Sequence, residues 1–292
     1  MTIQTSNITA AIKTVYEAQG YKAFQQGNVL DKLLSKKYSV DGMTVTMPIY
    51  GNITANYTAV SETGELASSD ISVAPLTITP IEDGHTTVIT NLAEIVTGNT
   101  IGTVLPEKIG QHWAERMDKR ALAKLDTVSA SNIIKKDATL TAASVMDIKF
   151  LNKLWTKLNV AGARPFTNGL FALVLSPAVY GDLLGVAQME TVQLADNAGD
   201  VIANNLMAAY GFMFMQDRNI ATSVVDTQTA YNNYAMGAEA LVKGISQEGK
   251  VYFHQPDSFA DRQRKVGWYE VSEYALLNPS NLFIGKTVSA SA

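Results

Sequence analysis

Two short stretches of alternating residues, separated by a long polar one, restrict this chain more than any other feature. Met43, Val45, Met47 and Ile49 alternate with Gly42, Thr44 and Thr46, a period-two pattern that predicts a strand with one apolar face. Pro48 and Gly51 are expected to end it. The segment YGNITANYTAVSETGELASSDISVA follows, polar, short in its side chains and without helical period. Leu76 and Ile78 then alternate with Thr77 and Thr79 in a second strand. A connector this long and polar is unusual inside a compact domain. The simplest geometry is an extended hairpin projecting from the body.

Charge sharpens the picture. Between Lys37 and Lys108 there is no Lys or Arg, while the same span carries Asp41, Glu62, Glu65, Asp70, Glu82, Asp83 and Glu94. Such a projection repels a copy of itself and suits a basic surface elsewhere. The next segment offers one. From Pro106 to about Ser129, Ile109, Trp113, Met117, Ala121 and Leu125 form an i, i+4 ridge flanked by Ala114 and Leu122, the strongest helix signal in the chain. Pro106 and Glu107 suit its start. Arg116, Lys119, Arg120 and Lys124 fall largely on its other faces.

Elsewhere the pattern alternates. Ile8, Ile12 and Val15, then Val29, Leu30, Leu33 and Leu34, predict two short helices broken at Gly20 and Gly27. Val145, Ile148, Leu151, Leu154, Trp155 and Leu158 predict another helix. Leu170 to Leu175 reads as a buried strand, and Ser176-Pro177 as the N-cap and first turn of a helix towards Leu184. Asn205 to Tyr210 reads as helical, and Phe212 to Met215, Ala235 to Val242, Lys250 to Gln255 and Val266 to Leu277 as strands, before Leu282-Phe283-Ile284. Trp113 and Trp155 lie on apolar stripes and are expected in the core; Trp268 suits core or interface.

Composition removes several function classes. The 292 residues are 47% hydrophobic and only 17% charged, a low charge that suits a subunit meeting many neighbours. The net charge of −4 opposes phosphate neutralisation and attraction to anionic membranes. With no cysteine, disulfides, thiolate metal sites and thiol nucleophiles are excluded. The N-terminus lacks the basic start and apolar run of a signal peptide, and no apolar run is long enough to span a bilayer. No GxxxxGK[ST], GxGxxG or GxSxG occurs, and His85, His112 and His254 are too scattered for a zinc motif. No catalytic, cofactor or metal residues are nominated. Glu62 and Glu65 sit in a polar segment that offers no burial to move their pKa values, so acid–base catalysis is not expected of them.

The order of these elements resembles one family, the tailed-bacteriophage major capsid proteins of the Hong Kong 97 fold, which bacterial encapsulin shells share. VDGMTVTMPIYG resembles the strand entering the family's E-loop, and PEKIGQHWAERMDKRALAKLD its spine helix. LFALVLSPAVYGDLL and AAYGFMFMQDRNI resemble strands of its axial domain, and YFHQPDSFADRQRKVGWYEVSEYALLNPSNLFI its late peripheral strands. The likeness runs over nearly the whole chain and is nearest to a podophage-type coat. It implies an α+β fold with an N-terminal arm (1–37), an E-loop with flanking strands (38–80), a discontinuous peripheral domain with a long spine helix (81–140 and 250–292) and an α/β axial domain (141–249).

The implied function is that of a non-enzymatic coat protein. It assembles with itself into hexamers and pentamers, forming an icosahedral shell around double-stranded DNA in the virion, in the host cytoplasm and without cofactors or membrane. Further partners implied are a portal protein and a decoration protein. Inter-subunit contacts are expected from Glu62, Glu65 and Asp70 of the E-loop to Arg116, Lys119, Arg120 and Lys124 of a neighbour. Some family members weld subunits through an E-loop lysine; the lysine-free span here predicts no such bond. An arm that begins almost at Met1 predicts a separate scaffolding protein. An encapsulin-like nanocompartment and a cytoplasmic α/β enzyme are the alternatives.

Overall fold

The computed structural model describes residues 5–34, 36–39, 44–50, 71, 73–90, 96, 100–186, 208–254 and 263–290. The chain opens with helix α1 (Thr5–Gly27) and a 3-10 turn (Leu30–Leu33), then β1 (Lys36–Ser39). The hairpin strands β2 (Val45–Tyr50) and β3 (Val73–Ile78) precede β4 (Ile81–Thr90) and the long helix α2 (Thr100–Leu125). Then come β5 (Ile133–Lys135), α3 (Ile148–Val160), β6 (Phe171–Leu175), α4 (Pro177–Leu184), β7 (Ala208–Ala209) and β8 (Phe212–Gln216). The last part holds β9 (Thr222–Val225), β10 (Gln228–Met236), β11 (Leu241–His254), β12 (Gln263–Leu276) and β13 (Leu282–Thr287).

These strands form three sheets. One runs β1-β11-β12-β4; a second runs β5-β13-β10-β6-β8-β7 with β9 paired to β10; β2 and β3 stand by themselves as a third. The domain grouping drawn from the sequence differs from this pairing. β13 and β5 belong to the second sheet although 250–292 and 81–140 were assigned to the peripheral part, and β11 begins inside 141–249. The chain crosses between the two larger sheets once more than a peripheral part in two pieces would require.

Helix α2 is the hub. Its ridge residues Ile109, Trp113, Met117, Ala121 and Leu125 are all at most 3% exposed. They share one apolar cluster with Val266, Trp268 and Tyr274 of the first sheet and with Ala172, Val174, Met236 and Ile284 on one face of the second. The alternate residues of β6, Phe171, Leu173 and Leu175, pack with Phe150, Leu151 and Leu154 of α3 and Val179 and Leu183 of α4. Both faces of β6 are therefore covered, which explains its unbroken apolar run. Asp147 caps α3 by accepting from Phe150 N at 2.8 Å, and Ser176 caps α4.

Several expectations are corrected. The two N-terminal helices are one helix plus a 3-10 turn, because α1 continues through Gly20. A Cβ on Gly110 would lie 2.1 Å from the Gly20 carbonyl oxygen, so the two glycines let α1 and α2 meet backbone to backbone. Helix α2 begins at Thr100, six residues before the expected Pro106, which lies inside it and leaves its first turns without one i→i−4 bond. Pro48 does not end β2. It faces Pro75, and a non-hydrogen-bonded pair asks neither for an N–H. The strand expected over Ala235–Val242 is two, split at Glu239, whose φ is 64°. Ala208 and Ala209 of the expected 205–210 helix are strand; the preceding residues lie outside those described. Trp155 is 42% exposed rather than core.

Strand β4 and the β9–β10 hairpin were not foreseen. The first shows little alternation of burial, and the hairpin turns on Asp226 and Thr227, both at positive φ, without a glycine to mark them.

The glycine contact gives a paired prediction. Gly110→Ala is expected to lower the unfolding midpoint, by about 3 kcal/mol in free-energy terms, since backbone must shift. Gly181→Ala, in α4 with nothing near a new Cβ, is expected to raise it by about 0.5–1 kcal/mol. Chemical denaturation of both variants measures the difference.

Candidate inter-subunit interface

Among the described residues, the hairpin strands β2 and β3 form a sheet of their own. Its register sets Val45 against Ile78, Met47 against Leu76 and Ile49 against Ala74 on one face. Thr46 against Thr77 and Pro48 against Pro75 make the other. Among the described residues it pairs with neither larger sheet. Most of β3 is exposed. A lone two-stranded ribbon is marginal in water and needs a further surface. Glu62, Glu65 and Asp70, the acids expected on its outer part, lie outside the described residues.

The basic face of α2 lies against acids of its own chain. Arg116 Nε donates to Asp83 Oδ2 at 2.8 Å. Arg120, 9% exposed at its side chain, donates to Glu273 Oε2 at 2.9 Å and to the Ser272 carbonyl at 2.6 Å, with Asp83 at 3.7 Å. Lys124 reaches Glu273 Oε1 at 3.0 Å, and Lys119 pairs with Glu115 one turn earlier at 2.6 Å. The pairs of Arg116, Arg120 and Lys124 bind α2 to β4 and β12. Arg116 and Lys119 remain 53% exposed and can still face a neighbour; Arg120 is spent inside. Sequence reasoning missed Asp83 and Glu273 as the intrachain partners. Asp83 was visible among the acids, but only the pairing of β4 with β12 places it beside the helix.

A second charged cluster joins the N-terminal arm to the body. Lys243, 2% exposed, sits between Glu270 at 2.7 Å and Asp31 at 3.3 Å. Trp113 Nε1 donates to Glu270 Oε2 at 2.8 Å, and Tyr274 Oη to Asp31 Oδ1 at 2.6 Å. Burial, and then the Asp31 carboxylate, hold the Tyr274 phenol well above its ordinary pKa. The indole of Trp113 fits because β11 is irregular here. Its register shifts between Gln247 and Lys250, and a Cβ on Gly249 would lie 1.9 Å from the ring. Phe24 of α1 stacks on the same indole at 3.7 Å, and Trp268 lies 6.0 Å away.

Close by, the Asp118 carboxylate accepts from Val29 N and Leu30 N, satisfying two donors where α1 gives way to the 3-10 turn. Burial lifts its pKa to about 7, against the backbone N–H bonds that favour the charged form; Asp217 and Asp31 add to the rise. Among the described residues no group of three or more His, Asp or Glu could hold a metal ion. No described helix is long and apolar enough to cross a membrane.

No family model matches the sequence, and no curated protein matches it. Solved structures do match. The capsid of Ralstonia phage GP4 superposes with a TM-score of 0.69 at 10% identity, covering 88% of this chain and 87% of that one. The capsid of cyanophage P-SCSP1u matches at 0.67 and 14% identity, over 90% and 89%. A virus-like particle from Pyrococcus furiosus matches at 0.57 and 14%, over 93% and 98%. The class is thereby defined. This chain has the tailed-phage capsid fold of Hong Kong 97 type, α+β, over most of its length.

Two outcomes follow from the buried charges. Lys243→Met leaves Glu270 without its cation and Asp31 with only the more exposed Lys37 at 3.6 Å, and is expected to destabilise the subunit by about 3–5 kcal/mol in denaturant titrations. Asp118 has a folded pKa above its ordinary 3.8, so between those values the native state holds a proton that the unfolded chain has released. Its contribution is therefore lost as pH rises from about 4 to 7, by at most about 1.4 kcal/mol per pH unit. Asp118→Asn, measured across that range, is expected to flatten this slope and to be the more stable protein above pH 7.

Proposed function

We propose that this protein is a major capsid protein, building an icosahedral phage shell from copies of itself rather than catalysing a reaction. The observation that carries the reading is the isolated β2–β3 ribbon: a hairpin with an apolar ladder that its own two larger sheets do not extend. An element of that kind is stable when another copy supplies the surface. The fold shared with phage capsids points the same way. The superpositions on the Ralstonia phage and cyanophage capsids support a genome-enclosing shell as the first reading, with an encapsulin-like nanocompartment as the second.

In this reading the four-stranded sheet with α2 serves as the peripheral part and the seven-stranded sheet as the axial part, with the arm before them. The acid-bearing outer hairpin, with Glu62, Glu65 and Asp70, approaches a neighbour's α2, where Arg116 and Lys119 are the exposed cations and Lys124 the next most exposed. Each such pair contributes only about 0–1 kcal/mol. Charge sets register, and apolar burial supplies affinity. Hexamers and pentamers, a separate scaffolding protein, a portal and a decoration protein, and enclosed double-stranded DNA complete the expectation, with assembly in the host cytoplasm.

Concentrated protein, with or without a scaffold, is expected to give closed particles in negative-stain images. A chain that sediments as a monomer under every assembly condition overturns the reading. Reversing Glu62 and Glu65 to lysine is expected to reduce particle yield, and adding Arg116→Glu with Lys119→Glu to restore it. A failure to restore removes this contact while leaving the shell function standing.

A further inference from the structure

Three side chains from three elements meet on the exposed flank of α2. The rings of His85 on β4 and His112 on α2 lie 4.7 Å apart, tilted by 42°. Trp268 of β12 donates its indole N–H to Nδ1 of His112 at 3.0 Å. A tryptophan N–H only donates, so the contact exists only while Nδ1 carries no proton. Once protonated, the imidazole turns a donor towards a donor.

The surroundings do not compensate such a charge. From β4 the charged groups facing His112 are His85 and Asp83; from α2 itself they are Glu115 and Arg116. Asp83 is engaged by Arg116 and Arg120, and Glu115 by Lys119 and Arg218. Burial first, then His85, hold the His112 ring below its ordinary pKa. Proximity to Arg116 adds to this, and Glu115 and Asp83 only partly oppose it.

We propose that His112, with His85 and Trp268, forms an acid-sensitive latch that holds β12 and the β4 strand laddered to it, and through β4 the root of the hairpin, against α2. Only two residues separate Ile78, the end of β3, from Ile81, the start of β4, so loosening β4 frees the base of the ribbon. The sign follows from the direction of the shift. With the folded pKa below 6.5, the latch contributes fully above 6.5, and the contribution is lost as pH falls from there through the lower folded pKa. Asp118 works in the opposite sense, so acid loosening of β4 does not originate there.

Hydrogen exchange of the full-length unassembled subunit, followed from about pH 8 to 5 and corrected for intrinsic rates against β13 in the same sample, tests this. Exchange across residues 81–90 is expected to rise about tenfold relative to β13 on acidification. His112→Asn keeps a neutral acceptor and is expected to abolish the rise. His85→Gln removes the neighbouring charge and is expected to move the transition to higher pH. No acid transition in the natural sequence, or one that His112→Asn retains, overturns the latch. If the asparagine variant does not fold, a transition unmoved by His85→Gln overturns it instead. Particle formation is a separate measurement, so the latch and the shell reading fail independently.

Discussion

Helix α2 has to satisfy two sheets and the arm at once, and the rest of the molecule is arranged around that requirement. An apolar stripe at i, i+4 spacing covers only part of a helix's circumference. The stripe through Trp113, Met117 and Leu125 is placed where both sheets contribute to one core. The remaining circumference is held by other means. Arg116, Arg120 and Lys124 bridge to Asp83 and Glu273 on the flanking strands, and Gly110 lets α1 approach to backbone distance.

The start of the chain is fixed by apolar contacts of Phe24, Leu30 and Leu33 with the main core and, beside them, by buried charge. Asp31, Lys243 and Glu270 form a buried charged joint between the 3-10 turn, β11 and β12, closed by Trp113 and Tyr274. Buried ion pairs contribute little net stability against an apolar equivalent, yet they tolerate no missing partner. Such a joint serves geometry: it specifies where the arm leaves the body. Asp118, accepting the first free amides of the turn, reinforces that angle from α2.

The consequence is a well-packed centre and, among the described residues, one two-stranded element outside it. The two larger sheets close on α2, α3 and α4, whereas, among the described residues, the ribbon of β2 and β3 pairs with neither of them and β3 is mostly exposed up to the buried Ile78. The histidine pair stands where that ribbon joins the body. In the proposed latch, a change in the charge on one imidazole acts near the base of the ribbon that the proposed function turns towards a neighbour.

Much of this was legible in the residues alone. Periods of two and four marked β2, β3, α2 and α3, unbroken apolar runs marked β6 and β8, and Ser176-Pro177 marked the start of α4, because local geometry sets those spacings. The absence of lysine and arginine across the hairpin was likewise plain, and so was the basic character of α2. Pairing was not legible. Gly20 looked like a helix breaker because the glycine it touches lies far along the chain, and Trp155 looked buried because its stripe does not reveal how far the core extends. Asp83 and Glu273 became partners of α2 only when β4 and β12 were set side by side, and His112 met Trp268 only there. Spacing along a chain decides which side of an element is apolar; which atoms then meet depends on strand order and close approach, and these are properties of the folded molecule.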